Sequence, residues 1–166
     1  MSALRLVLLA DHDLAGFDCA NHELNRWLVE HAQASQKADL ARTYVLLADG
    51  AVVGYVSLTT GSIRREAAPK RYAREMPRHP IPTILIARLA VDRRHQRQRL
   101  GSRLIAEALR LALTASDAAA ARLVVVDAID DAAAAFYRRW GFIDVPENPL
   151  RLFRKIDDIR RSLGQP

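Results

Sequence analysis

The sequence predicts a single α/β domain over residues 1–166, a mixed sheet with helices against it. Three observations lead there. Short apolar runs of strand length alternate with segments of helical periodicity, the clearest over 100–115. Asp49-Gly50 between two such runs signals an antiparallel hairpin. The strand–helix–strand unit over 83–127 requires a parallel pair with a right-handed crossover.

Taken in order, residues 4–10 are short and apolar and predict the first strand. Asn21 suits a helix cap, with Glu23 favourable in the first turn, and Leu24, Trp27, Leu28 and His31 follow at helical spacing. Residues 43–48 and 52–58 are the hairpin strands. Residues 61–82 are polar and basic and carry Pro69, Pro77, Pro80 and Pro82, which predicts a surface loop or short broken helix. Residues 83–91 read as a buried strand interrupted by Arg88. In the helix over 100–115, Leu100, Leu104, Ala108, Leu111 and Ala112 form one apolar stripe. A strand over 123–126, a helix over 131–140 ended by Gly141, and strands over 142–145 and 150–153 complete the order.

The net charge is +6, and its distribution is uneven. Residues 64–99 hold eleven Arg and Lys against three acids, Glu66, Glu75 and Asp92, while the rest of the chain holds fourteen bases and sixteen acids. Such a stretch suits a polyanionic partner or a solvated basic surface. Cys19 is the one cysteine, so no internal disulfide can form, and a buried structural thiol is expected. No membrane span is expected, and the start, Met1-Ser2-Ala3-Leu4-Arg5, lacks the features of a signal peptide. A cytoplasmic location is therefore expected. No metal site is expected.

Two segments suggest chemistry. The first runs from Leu89 to Ser102: a buried strand ends, a polar loop follows and an amphipathic helix begins. Unpaired N–H groups at a helix start, with the helix dipole, form an anion site, and flanking arginines strengthen it for a diphosphate. The second is Phe136-Tyr137-Arg138-Arg139-Trp140-Gly141-Phe142. An aromatic pair on a helix is by itself more often core than catalytic.

Together the segments resemble the GNAT-type N-acetyltransferase superfamily, and the resemblance covers nearly the whole chain. Gln96, Arg99 and Gly101 occupy the defined positions of the family's Gln/Arg-x-x-Gly-x-Gly/Ala loop, and Phe136-Tyr137 with Gly141-Phe142 match its late FY-x-x-x-GF element. The resemblance implies the family's mixed central sheet flanked by helices. Arg99 stands where the family has glycine, and Arg97 where glycine is frequent. A left-handed backbone there would strain an arginine by about 1 kcal/mol or more. Because Leu100-Gly101-Ser102 continues the helix register, a helical and unstrained backbone is expected instead.

FDCANHELNRWL, IARLAVDRRHQ, FYRRWGF and a terminal PLRLFRKIDDI resemble, more narrowly, the acetyltransferase toxins of bacterial toxin–antitoxin pairs. That resemblance implies acetyl-CoA as donor, the α-amine of aminoacyl-tRNA as acceptor, an antitoxin partner and a homodimer. It assigns acetyl-CoA to Leu89, Ala90, Val91, Gln96, Arg97, Gln98, Arg99, Leu100, Gly101 and Ser102. Backbone N–H near Leu89 to Val91 would stabilise the oxyanion and Tyr137 would protonate the leaving thiolate. RNA contacts fall to Arg71, Arg74, Arg88, Arg93 and Arg94. Arg88 otherwise reads as the partner of a buried acid. No general base is evident, which suits an α-amine with a pKa of about 7.7–8.0 better than a lysine near about 10.4. The alternatives are acetylation of a protein or small-molecule amine, and a degenerate domain that binds without catalysis.

Overall fold

The Asp49-Gly50 hairpin is present in the structure, a computed structural model that describes residues 3–164. Met1 and Ser2, which open the segment read for a leader, and Gln165 and Pro166, at the end of the expected domain, lie outside the described residues. In chain order the elements are β1 (Leu4–Leu8), α1 (His22–Glu30), α2 (Ala32–Lys37), β2 (Arg42–Ala48), β3 (Ala51–Ile63), α3 (Lys70–Ala73) and β4 (Ile81–Val91). They continue with α4 (Leu100–Ala119), β5 (Leu123–Asp127), α5 (Asp131–Arg139), β6 (Ile143–Val145), β7 (Asn148–Lys155) and α6 (Ile156–Ser162). Short 3₁₀ turns occupy Arg65–Ala67 and Arg93–Gln98. The strands form one sheet in the order β1-β2-β3-β4-β5-β7-β6. It is mixed, because β4 and β5 pair parallel while β1 with β2 and β5 with β7 pair antiparallel. The predicted α/β class holds.

The chain divides into two compact units. The first comprises Met1–Thr59 and Ala87–Ala108. Here Asp49 and Gly50 both take positive φ, 51° and 84°, the type I′ turn that matches strand twist. Asn21 caps α1 by accepting from Leu24 N at 3.0 Å, as the sequence predicts, and Leu28 is fully buried. Helix α2 was not predicted. It buries only Ala32, so it has no apolar stripe to read, and polar contacts hold it. Gln36 donates to Leu9 O at 2.7 Å and accepts from Thr43 N at 3.0 Å. Gly54 permits close packing: a Cβ there would lie 2.8 Å from Leu104 Cδ1 and 3.1 Å from Ala90 O.

The second unit comprises Thr60–Ile86 and Leu109–Pro166. Its core gathers Tyr72, Met76, Leu123, Val125 and Phe153. The region predicted as a surface loop or short broken helix takes the second form, with β3 reaching Ile63, then a 3₁₀ turn and α3, and it is not all surface, since Tyr72 and Met76 pack into the core. Arg65 Nε donates to Ala73 O at 3.0 Å and Met76 O at 3.2 Å, folding the proline-rich segment back on itself. Asp130 caps α5 by accepting from Ala133 N at 2.8 Å, and Gly141 ends it at φ 86°. Helix α6 was missed because only Ile156 and Ile159 are buried along it. Helix α4 runs four residues beyond its predicted end. Leu111 lies only half-buried, while Ile105, Leu109 and Leu113 complete its buried stripe. Among the described residues, no helix is long and apolar enough to cross a membrane.

Candidate functional site

The segment after β4 is organised around one buried carboxylate. Asp92 is fully buried, and its backbone N–H donates to Val53 O at 2.8 Å. Its carboxylate accepts from Arg94 Nη2 at 2.7 Å, Arg94 Nε at 2.8 Å, Arg94 N at 3.0 Å and Asp18 N at 3.1 Å. The Arg94 guanidinium, more than the other donors, holds this carboxyl well below the usual carboxylate range, against the opposing effect of burial. Arg94 Nη2 also donates to Gly16 O at 3.0 Å.

The segment 16–25 completes the frame. Asp18 accepts from Ala20 N at 2.9 Å and Asn25 Nδ2 at 3.0 Å, bonds that lower its pKa in that order, and it pairs with Arg93 Nε at 3.1 Å. Asn25 accepts from Cys19 N at 2.8 Å. Gln96 Nε2 donates to Val91 O at 3.1 Å and Cys19 O at 3.3 Å. Cys19 is buried, as expected, and desolvation raises its thiol pKa. Sequence reasoning assigned no role to Asp18, Asn25 or Asp92. The available signal was an acid ending an apolar strand and three short polar side chains, Asp18, Asn21 and Asn25, in FDCANHELN, each suited to backbone contacts.

Arg93 and Arg94 thus carry intramolecular ion pairs, whereas Arg97 and Arg99 are exposed and meet no acid among the described residues. The backbone at Arg99 corrects the expectation of a helical conformation. Its φ is 59°, left-handed, at the junction where the 3₁₀ turn becomes α4. The helix register does continue through Leu100-Gly101-Ser102, but it begins one residue after the strained one. Arg97 sits at φ −91° and ψ 15°, which an arginine adopts without strain. Arg103 N makes the first helical bond, to Arg99 O, so the N–H groups of Leu100, Gly101 and Ser102 precede the helical ladder. Exposed guanidinia and unladdered amides are donors suited to a diphosphate. Gln98 is exposed, and Ala90 and Val91 are buried with Leu89 half-buried at the strand end.

Arg88 lies half-buried on β4. Its guanidinium carbon is 4.0 Å from the centroid of Trp27, and no carboxylate meets it among the described residues. The buried-acid alternative for Arg88 is therefore set aside.

Tyr137 belongs to the second unit and lies on α5. It is 7% exposed, and its ring meets Phe136 and Phe142 edge-on at 5.3 Å and 5.8 Å. Among the described residues nothing bonds its hydroxyl, and burial pushes its pKa up to about 12. The phenol therefore keeps its proton at neutral pH and has no internal use for it. Arg71 and Arg74 are exposed around α3, with Arg71 placed 5.7 Å from the Tyr72 ring. No group of three or more metal-binding side chains occurs among the described residues.

The model of the Acetyltransferase (GNAT) family matches residues 8–142. A protein of Mycobacterium tuberculosis named tRNA-acetylating toxin is 37% identical over 163 residues, covering 98% of this chain and 97% of that protein. The structure of AtaT complexed with acetyl-methionyl-tRNAfMet superposes with a TM-score of 0.88 at 31% identity, covering 98% of this chain and 100% of that one. A mutant AtaT toxin bound to the C-terminus of the antitoxin AtaR and acetyl-CoA gives 0.83 at 30% identity, covering 98% and 99%.

Proposed function

We propose that this chain, which belongs to the acetyltransferase (GNAT) family, moves acetyl from acetyl-CoA to the α-amine of an aminoacyl-tRNA and so acts as a translation-blocking toxin. The observation that carries the reading is 37% identity to a tRNA-acetylating toxin along 98% of the chain. Residues 1–166 are taken as one domain, acting in the cytoplasm as a homodimer and held in check by an antitoxin.

In this reading the exposed Arg97 and Arg99, with the amides of Leu100, Gly101 and Ser102, bind the diphosphate of acetyl-CoA. Gln96 fixes the loop by tying it to Val91 O and Cys19 O. Backbone N–H near Leu89, Ala90 and Val91 donates to the oxyanion that forms as the amine nitrogen bonds to the thioester carbon. When the carbon–sulfur bond breaks, the sulfur takes the Tyr137 hydroxyl proton, the amine proton passes to water, and the tyrosinate regains a proton from water. A phenol with a pKa of about 12 is neutral, and therefore able to donate, throughout the physiological range. Arg71, Arg74 and Arg88 contact RNA phosphates, and Arg93 and Arg94, already ion-paired, contribute less.

The test uses labelled acetyl-CoA with charged tRNA, uncharged tRNA, a peptide and a small amine. Label on charged tRNA alone supports the reading. Label confined to the peptide or small amine replaces it with acetylation of that acceptor.

A further inference from the structure

Arg88 is out of place by the rules that fill β4. The strand is apolar on both sides of it, and a half-buried guanidinium loses hydration that nothing in the described protein restores. Burial lowers its pKa without any carboxylate acting against that. What the protein supplies is a flat surface. The guanidinium lies over Trp27 at 4.0 Å, and Trp27 stacks on Tyr55 at 6.2 Å with 13° between the rings.

That surface is fixed from below. Tyr55 is fully buried, and its hydroxyl donates to Leu24 O at 2.7 Å, on the same helix as Trp27. Phe17 meets Tyr55 edge-on at 5.6 Å. Helix α1 is held by the Asn21 cap and by the Cys19 N–Asn25 bond. Trp27 therefore has little room to turn. A cation–π contact of this kind uses none of the N–H donors, and those of Arg88 meet no acceptor among the described residues. An edge of five donors on a fixed plane suits the oxygens of a phosphate.

We propose that Trp27 is a positioning residue that holds Arg88 by its face, so that its N–H edge meets a phosphate oxygen of the acceptor RNA. This rests on the reading that the acceptor is a charged tRNA. A brace without this role would need only the volume of Arg88, and a methionine would replace it.

The experiment combines two measurements on Trp27→Leu, Trp27→Phe, Arg88→Met, Arg88→Lys and the double variant Trp27→Leu with Arg88→Met. The first is acetylation of charged tRNA at saturating acetyl-CoA. The second is affinity for uncharged tRNA across a salt series. Losing one charged contact should raise KM for charged tRNA about 10-fold in Arg88→Met, with kcat and acetyl-CoA affinity nearly unchanged. The salt slope for uncharged tRNA should flatten by about 0.7, one phosphate contact. Trp27→Leu should show most of that loss, Trp27→Phe should recover most of it, and Arg88→Lys should fall between. The double variant should be no worse than Arg88→Met, because both changes remove one interaction.

Wild-type KM and slope in Arg88→Met overturn the proposal. So do a wild-type Trp27→Leu, or additive losses in the double variant. If wild type acetylates no charged tRNA, the acceptor reading fails. The salt series still decides the proposal: coupled losses of RNA affinity in Trp27→Leu and Arg88→Met uphold it, and unchanged affinities overturn it.

Discussion

Residues 92–99 and the region around Tyr137 are proposed to serve one reaction, yet they are held in opposite ways. The loop after β4 is built from charge: a buried Asp92 takes four hydrogen bonds, and Asp18, Arg93 and Arg94 complete the set. Tyr137 is held by aromatic edges and burial, with its hydroxyl left unbonded. A site for a polyanion must keep backbone amides and cations in place without apolar cover, so polar bonds do the holding. A phenol is already protonated at neutral pH, and burial without a hydrogen-bond partner pushes its pKa further up. Each region should therefore fail in its own way.

The largest effect is expected at the apolar region. Tyr137→Phe keeps the ring and its packing, so fold and acetyl-CoA affinity should persist while turnover falls about 10²–10⁴-fold. Steady-state kinetics beside a melting curve check this, and an unchanged rate would return Tyr137 to the core. In wild type, loss of the donor should not limit the rate at any pH well below about 12.

The charged region should lose stability as well as binding. Asp92→Ala removes the shared acceptor and should cost about 2–3 kcal/mol in denaturant unfolding, with weaker acetyl-CoA binding. The pH dependence has a definite sign. The folded-state pKa of Asp92 lies below its ordinary 3.8. Its stabilisation is therefore complete above about pH 4 and disappears as the pH falls further. The stability gap between wild type and Asp92→Asn should narrow steadily as the pH falls below about 4 and toward the lower folded-state pKa, and a constant gap would show that Asp92 acts by shape rather than charge.

Arg99→Gly separates strain from function within the same loop. Relieving a left-handed arginine should stabilise the protein by about 0.5–1 kcal/mol, while loss of an exposed cation should weaken acetyl-CoA binding. A variant both less stable and equally tight would contradict the account of that residue. Smallest is the effect of neutralising Arg71 and Arg74 together. RNA affinity should fall modestly and the salt slope should drop by about 0.7 per lost contact. Acetyl-CoA affinity, read by calorimetry, should not move.

The same contrast explains what the sequence discloses. Elements held by apolar periodicity or by a turn with one solution were legible: the Asp49-Gly50 hairpin, α1 behind Asn21, β5, and α5 with its Gly141 stop. Contacts made by one polar side chain were not. Gln36 fixes α2 without a periodic trace, and the broken helix of the proline-rich segment could be read from its prolines while the Arg65 bonds that fold it back could not. At the proposed site, the strand–loop–helix joint was visible in the sequence itself, whereas Tyr137 was singled out only by the family resemblance. The buried Asp92 frame could not, because its partners Asp18 and Arg94 are separated in sequence by a length no pattern spans. The conformation of Arg99 was misread because the helix register that follows it carries no information about the residue that precedes it.

In the proposed reaction the acetyl group ends on the α-nitrogen of an amino acid esterified to tRNA. Incubating the protein with labelled acetyl-CoA and charged tRNA, hydrolysing the ester and identifying the labelled product tests this. Wild type should yield an N-acetyl amino acid, Tyr137→Phe almost none, and uncharged tRNA should take no label. Label on uncharged tRNA, or on an added peptide or small amine with charged tRNA untouched, would contradict it.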